Sequence, residues 1–153
     1  MSMKVNIKGK NEKITRKELF IATKYFARSL MSERLCKNLT IRLVSDIVHY
    51  CDASSVWTDT NNRPREFEII LNASMGKRRQ LIALAHEMVH VKQHAKGELK
   101  SMLMKREERW HGRYIKLDET HYFERPWEIE AFGRELGLYQ MYMQWKKDWK
   151  VKF

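Results

Sequence analysis

A histidine, a glutamate and a second histidine stand close together near the middle of the chain, in the sequence His86-Glu87-Met88-Val89-His90. In an α-helix, residues four apart lie one turn from each other on the same face, so the rings of His86 and His90 can converge on one ion. Glu87 then projects towards the coordination position that the ion leaves open, where it can accept a proton from water. The spacing therefore predicts a zinc site with Glu87 as the catalytic base.

A catalytic zinc ion needs a third protein ligand in addition to water. Glu128 and Glu130 follow Pro126, which favours the first turn of a helix, and a carboxylate on a second packed helix would be held rigidly. Because these two glutamates lie about 200° apart around a helix, only one of them can face the ion. His111, which a glycine follows, is the alternative for a site of three histidines. His94 lies one turn too far along the helix.

The first half of the chain predicts one helix and a small sheet. Thr15 and Glu18 form a capping box ahead of a helical pattern that runs to about residue 30. Residues 1–13 are polar and basic, and they are predicted to form a flexible arm. Alternating or β-branched segments predict three strands, at 40–48, 55–58 and 65–71. The last strand is expected at a sheet edge, where an extended peptide can pair with it.

The second half predicts two helices that carry the site. An apolar stripe from residue 74 predicts a helix of about five turns, which contains both histidines and ends at Gly97. The stretch 100–124 is basic and is predicted to be irregular, and Pro126 then opens a last helix that carries Glu128. At 153 residues the chain is expected to form one α+β domain, with a small mixed sheet above the helix of the two histidines.

Three sequence elements together resemble a known family: HEMVHVKQHAKGEL, WHGRY and PWEIEAFGRELGL. They cover about 79–139 and are similar to the SprT-like or zincin-like metallopeptidases of phages and bacteria. The resemblance implies a zincin-like domain of the glutamate-ligand (gluzincin) type, and it assigns the third ligand to Glu128. Phe132 stands where many such enzymes have Asp or Asn. Proteases of the Spartan type use three histidines instead, and His111 lies further from His90 than their pattern prefers.

The motif and the resemblance together predict a zinc-dependent hydrolase that cleaves peptide bonds in a protein or peptide substrate. A developing oxyanion needs a hydrogen-bond donor besides the metal, and the candidates are Tyr114, His121 and Tyr122. Two alternatives remain open. One is a regulatory protease that cleaves a repressor and does not contact DNA, and the other is a non-catalytic nucleic-acid-binding or scaffold protein on the same fold.

The charge of the chain favours anionic partners. Lysine and arginine number 30 against 19 acidic residues, which gives a formal net charge of +11. Such an excess promotes salt-sensitive contact with DNA or another polyanion, although a soluble charged surface explains it as well. Basic and aromatic residues that interleave around the predicted site are the candidate nucleic-acid contacts: Lys77, Arg78, Arg79, Lys92, Lys96, Arg106, Arg109, Trp110 and Arg113.

The expected location is the cytoplasm, or the host cytoplasm if a phage encodes the chain. No apolar run approaches the length of a membrane-spanning helix, so no membrane insertion is expected. The first ten residues lack the apolar core of a signal peptide. The sequence predicts no particular oligomeric state.

Overall fold

A computed structural model of the chain describes residues 2–48, 50–102 and 106–153. In these ranges, strands and helices follow one another in this order: β1 (Lys4–Lys8), α1 (Arg16–Leu30), α2 (Glu33–Lys37), β2 (Thr40–Asp46), β3 (Ala53–Trp57), β4 (Glu66–Asn72), α3 (Lys77–Ala95), β5 (Leu99–Met102), β6 (Glu107–Trp110), β7 (Arg113–Lys116) and α4 (Pro126–Asp148). Two 3₁₀ turns, Leu117–Glu119 and Tyr122–Glu124, precede α4. The strands form two small sheets, and the mixed α+β class predicted from the sequence is confirmed.

The larger sheet has the strand order β1-β2-β4-β3. Strand β2 is parallel to both β1 and β4, whereas β3 is antiparallel to β4. The prediction that the strand at 65–71 forms a sheet edge is therefore wrong, because β4 is paired on both sides. Its alternation of charged and apolar residues reflects one solvated face of the sheet, which interior strands of such sheets also show. The edge strand on that side is β3.

The predicted flexible arm at 1–13 also needs correction. Residues Lys4–Lys8 form β1, which pairs with β2 from Lys4 opposite Thr40 to Lys8 opposite Val44. Buried Met3 and half-buried Val5 and Ile7 lie at alternate positions, which is the periodicity of a strand with one buried face. Lys4, Asn6 and Lys8 alternate with them on the exposed face, so that the segment looks polar and basic by composition.

The predicted helix α1 begins at its expected cap, where the Thr15 hydroxyl accepts a hydrogen bond from the Glu18 backbone N–H. The Glu18 side chain contacts other elements instead of closing the capping box. It is buried, forms ion pairs with Lys77 and Lys146, and accepts a hydrogen bond from the Tyr142 hydroxyl. Burial raises the pKa of Glu18, but its two lysine partners outweigh burial and hold the pKa below its usual value. This carboxylate therefore ties α1 to the start of α3 and to α4.

Helix α3 is the central element of the fold. It packs against β3, β4, α1 and α4, and Leu81, Leu84 and Met88 have no exposed surface. A helix surrounded in this way is apolar on most of its circumference, which explains why its sequence shows a broad stripe. Packing on several sides fixes the backbone that carries residues 86–90. Within the described ranges, no helix is long and apolar enough to cross a membrane.

The stretch 100–124, which the sequence predicts as irregular, contains most of a second sheet. Strands β5, β6 and β7 form an antiparallel meander, and each has four residues. His111 and Gly112 connect β6 to β7 with φ angles of 47° and 85°. Two consecutive residues of positive φ are typical of a tight hairpin turn. Strands this short carry too few residues to show a period, which is why the sequence pattern fails here.

Candidate metal centre

Two histidines of α3 and one glutamate of α4 converge in the structure. The Nε2 atoms of His86 and His90 lie 3.2 Å apart, and they lie 3.2 and 3.3 Å from the two carboxylate oxygens of Glu128. One potential ligand atom from each residue lies within 4.8 Å of the others. Ligands at roughly 2.0–2.1 Å from a tetrahedral ion stand about 3.3 Å from one another. This cluster can therefore hold a metal ion, and it joins the two histidines predicted from their spacing with the glutamate that the resemblance implies.

The electrostatics of the cluster favour an ionised carboxylate. Glu128 is 6% exposed, and burial alone would raise its pKa. Hydrogen bonds with His86 and His90 outweigh burial and lower the pKa of Glu128 to about 2. Burial lowers the pKa of each histidine, but Glu128 outweighs it, so that both pKa values lie above the usual 6.5. Bound metal would replace the protons that the histidines otherwise take up.

The far side of each histidine ring is hydrogen-bonded to protein. His86 Nδ1–H donates to Glu135 Oε2 at 2.8 Å, and His90 Nδ1–H donates to Gln93 Oε1 at 2.8 Å. The Gln93 amide is itself fixed, since its nitrogen donates to the Trp127 carbonyl and to Glu130. Such partners set the tautomer and orientation of a ligand histidine and leave Nε2 free to accept a metal ion. Sequence reasoning identified neither Glu135 nor Gln93 in these roles.

The carboxylate that bonds to a histidine of the cluster comes from Glu135 and not from position 132, where the resemblance led us to expect Asp or Asn. Phe132 instead places its ring against His86, with the ring centroids 4.5 Å apart. Glu135 lies seven positions after Glu128, which is two helical turns with a drift of only about 20°. That spacing is visible in the sequence, and it could have placed a second carboxylate on the face of Glu128.

Removal of the Glu135 carboxylate is expected to weaken the binding of a metal ion, with zinc as the probe, by about 10- to 100-fold, because outer partners of metal ligands contribute that much. Competition with a chromophoric chelator measures the affinity in Glu135→Ala. Glu135→Gln keeps an acceptor for His86 and should lose less. Glu124→Ala, which removes an exposed carboxylate just before α4, is the matched control. Equal zinc affinity in Glu135→Ala and the control would contradict a supporting role for Glu135.

Glu87 lies next to the cluster and outside it. Its side chain is 8% exposed, and its Oε2 accepts a hydrogen bond from the Ser55 hydroxyl at 2.6 Å. Ser55 lies in the edge strand β3, so this bond connects the candidate base to the strand that borders the site. Both Glu87 and His86 line an open cleft of about 390 Å³. Nothing in the sequence singles out Ser55, since a serine in a short strand is ordinary.

The two alternative third ligands lie elsewhere. Glu130 faces away from the histidines and accepts hydrogen bonds from Lys92 at 2.6 Å and Gln93 at 2.8 Å. It therefore supports the site indirectly, through Gln93. His111 is exposed at the turn between β6 and β7, with its ring edge-on to Trp110. The geometry favours Glu128 over both of them.

Of the three candidate oxyanion donors, only Tyr122 lies at the site. It lines the same cleft as Glu87, and its hydroxyl is close enough to the Glu128 carboxylate to feel its charge. Burial and the nearby Glu128 carboxylate raise the pKa of Tyr122, so its hydroxyl stays protonated. Tyr114 is 62% exposed on β7 beside Arg109, and the His121 ring accepts a hydrogen bond from the Phe123 backbone.

The candidate nucleic-acid contacts differ in exposure and in ion pairing. Lys92 is 6% exposed and bonds to Glu98 and Glu130 at 2.7 and 2.6 Å, so its prediction as a contact is wrong. A charge count shows lysines but cannot show such buried partners. Trp110 is half-buried beside Trp127. Seven other candidates are exposed or partly exposed. Four of them are paired with acidic side chains, and the other three have no acidic partner among the described residues: Lys77, Arg79, Lys96 and Arg106 in the first group, Arg78, Arg109 and Arg113 in the second.

Comparisons of the chain with known protein families, with curated proteins and with solved structures find no match. The resemblance to SprT-like peptidases therefore stays a prediction, and so does contact with DNA.

Proposed function

We propose that the chain is a zinc-dependent peptidase of the zincin-like class, with zinc bound by His86, His90 and Glu128. The observation that carries the proposal is the convergence of these three ligand atoms beside Glu87, which lines an open cleft. Three protein ligands with one open position are typical of catalytic zinc sites, whereas structural sites use four protein ligands. A carboxylate next to the open position provides the general base that hydrolysis needs.

The chemistry of the ligands supports zinc. Two imidazoles and one carboxylate form a ligand set that catalytic zinc commonly uses, whereas calcium and magnesium prefer oxygen ligands throughout. When bound, zinc lowers the pKa of water and polarises a substrate carbonyl.

The side chains around the ion divide the remaining work. Glu87 accepts a proton from the attacking water and then delivers it to the leaving amine. Tyr122, which is protonated and lies at Glu128, can donate a hydrogen bond to the developing oxyanion. Glu135 and Gln93 hold the two histidine rings in place. Rigid support of this kind keeps the reacting groups within the narrow range of positions that catalysis requires.

An extended substrate would pair with β3, the edge strand. Within the described residues β3 is hydrogen-bonded to a strand on one side only, that of β4. Backbone groups on its other side can pair with a peptide irrespective of the peptide's sequence. The contact of Ser55 with Glu87 places this edge next to the candidate base. The sequence-based proposal of pairing with residues 66–71 is replaced by pairing with Ala53–Trp57.

Metal content and proteolysis together test the proposal. The purified protein is expected to contain about one zinc ion per chain, measured by mass spectrometry of the element. It should cleave a denatured protein such as reduced casein, stop when a chelator is added, and resume when zinc is restored. Failure to hold zinc even after reconstitution would exclude the proposal. Zinc without cleavage of any protein would instead support a scaffold on which the metal is structural.

A further inference from the structure

The cleft beside the metal centre has a mixed chemical character. It has a volume of about 390 Å³, and its walls come from α3, α4, the 3₁₀ turn at Tyr122 and the chain just before and within β3. Ile82, Ala83 and Phe132 supply apolar surface, while Arg78 and Arg79 supply positive charge. Because His86 and Glu87 line the same cleft, a group bound in it lies against the proposed catalytic residues.

Most charges in this cleft already have partners. Arg79 forms two hydrogen bonds with Asp52, at 2.9 and 3.0 Å. Glu135 accepts from His86, and Glu87 accepts from Ser55. These groups need no further counter-charge from a ligand.

Arg78 is different, because no acidic partner for its side chain is found in the described ranges. Its guanidinium lies over the Tyr139 ring, 5.5 Å from the ring centroid, and the residue is exposed. A guanidinium stacked on an aromatic ring keeps its five N–H donors available at the edges of its plane. Planar guanidinium groups bind carboxylates through two parallel hydrogen bonds. The cleft therefore combines an apolar wall with one cation that is suited to a carboxylate.

We propose that this cleft selects substrates, and that it binds a segment in which an apolar side chain stands next to a carboxylate held by Arg78. The inference deepens the proposed peptidase function and rests on it, because it names the substrate class of the same site. The carboxylate can come from two sources. One is the carboxyl terminus of a polypeptide, and the other is an acidic side chain within it.

Binding of small probes tests the inference without any cleavage. Two matched pairs of probes differ only in the carboxylate: acetyl-phenylalanine against its amide, and acetyl-Phe-Glu-amide against acetyl-Phe-Gln-amide. Their affinities for the zinc-loaded full chain are measured by nuclear magnetic resonance titration. The same titrations are run on Arg78→Gln and on Arg34→Gln. Arg34 is an exposed arginine of α2 that does not line the cleft, so its variant is the matched control.

At least one carboxylate probe is expected to bind about tenfold more tightly than its neutral partner, and Arg78→Gln should abolish that preference while Arg34→Gln keeps it. A preference within the first pair identifies a chain terminus as the source, and one within the second pair identifies an acidic side chain. Absence of a preference in both pairs would overturn the inference. A preference that persists in Arg78→Gln would also overturn it, because the carboxylate would then bind elsewhere, for example to the metal. The titrations are repeated on the metal-free chain, so that the outcome is separate from that of the zinc and casein tests: the preference for a carboxylate depends on Arg78 and requires no cleavage.

Discussion

Glu87→Gln is expected to abolish peptide hydrolysis and to leave zinc in the protein. Glutamine has nearly the same shape as glutamate, and its amide oxygen can still accept the hydrogen bond from Ser55. It cannot take a proton from water at neutral pH. General-base catalysis contributes about 10²–10⁴-fold to rates, so kcat/KM should fall by at least that range. Zinc content should not change, because Glu87 lies outside the group of three ligands.

The measurement combines cleavage of a fluorescent protein substrate with zinc analysis of the same samples. Glu66→Gln is the matched control, because it makes the same chemical change at an exposed glutamate of β4 that does not line the cleft. Wild-type activity in Glu87→Gln would exclude Glu87 as the general base and require another group to take the proton from water. Loss of zinc together with activity would show that Glu87 acts in holding the site together.

The core of the candidate site could be predicted because it depends on local geometry. His86 and His90 are neighbours on any helix, and the apolar residues around them predict that helix. The position of Glu128 opposite the two histidines cannot be predicted from local geometry, because it depends on how two separate helices pack against each other. Pro126 supplied the start of the second helix, and the resemblance to known peptidases supplied the choice between Glu128 and Glu130. The structure explains that choice, because Glu130 faces Lys92 and Gln93 instead.

Errors in the fold arise where contacts are distant in sequence. Whether β4 lies at an edge depends on β3 folding back beside it, and neither strand's own residues reveal that pairing. The same limit applies to Ser55, whose importance comes only from its contact with Glu87 across 32 positions of the chain. Glu135 differs from Ser55, since its helical spacing from Glu128 was present in the sequence and pointed to a shared face.

The proposed third ligand, Glu128, leads to the second large expected effect. Glu128→Ala should remove zinc from the purified protein, because only two protein ligands remain. The loss of affinity should exceed the roughly 10- to 100-fold that an outer partner such as Glu135 contributes. His111→Ala is the matched control, since His111 is the alternative third ligand and is exposed on the second sheet. Its zinc content should equal that of the wild type.

Glu128 also stabilises the metal-free protein, and this provides a check that the variant is folded. The pKa of Glu128 is about 4.5 in the unfolded chain and is lowered to about 2 in the folded protein. Its ion pairs therefore stabilise the fold fully at pH values above about 4.5, and this stabilisation is lost as the pH falls towards 2. The pKa values of His86 and His90 are raised in the folded protein. The contribution of these two histidines to stability is therefore complete below about pH 6.5 and declines as the pH rises above it. In thermal unfolding of the metal-free proteins, the melting temperature of Glu128→Ala should therefore fall furthest below that of the wild type between about pH 4.5 and 6.5.

The pattern across these variants distinguishes a weakened fold from a missing ligand. If Glu128→Ala loses zinc but unfolds cooperatively at pH 8, where its ion pairs contribute least, the loss reflects coordination. If it retains zinc while His111→Ala loses it, the ligand set is three histidines and the turn between β6 and β7 must move to reach the ion. That result would require a different arrangement of the second sheet, because His111 now packs edge-on against Trp110. Retention of about one zinc ion in both variants would place the metal elsewhere, and the proposed catalytic role of Glu87 would then have no ion beside it.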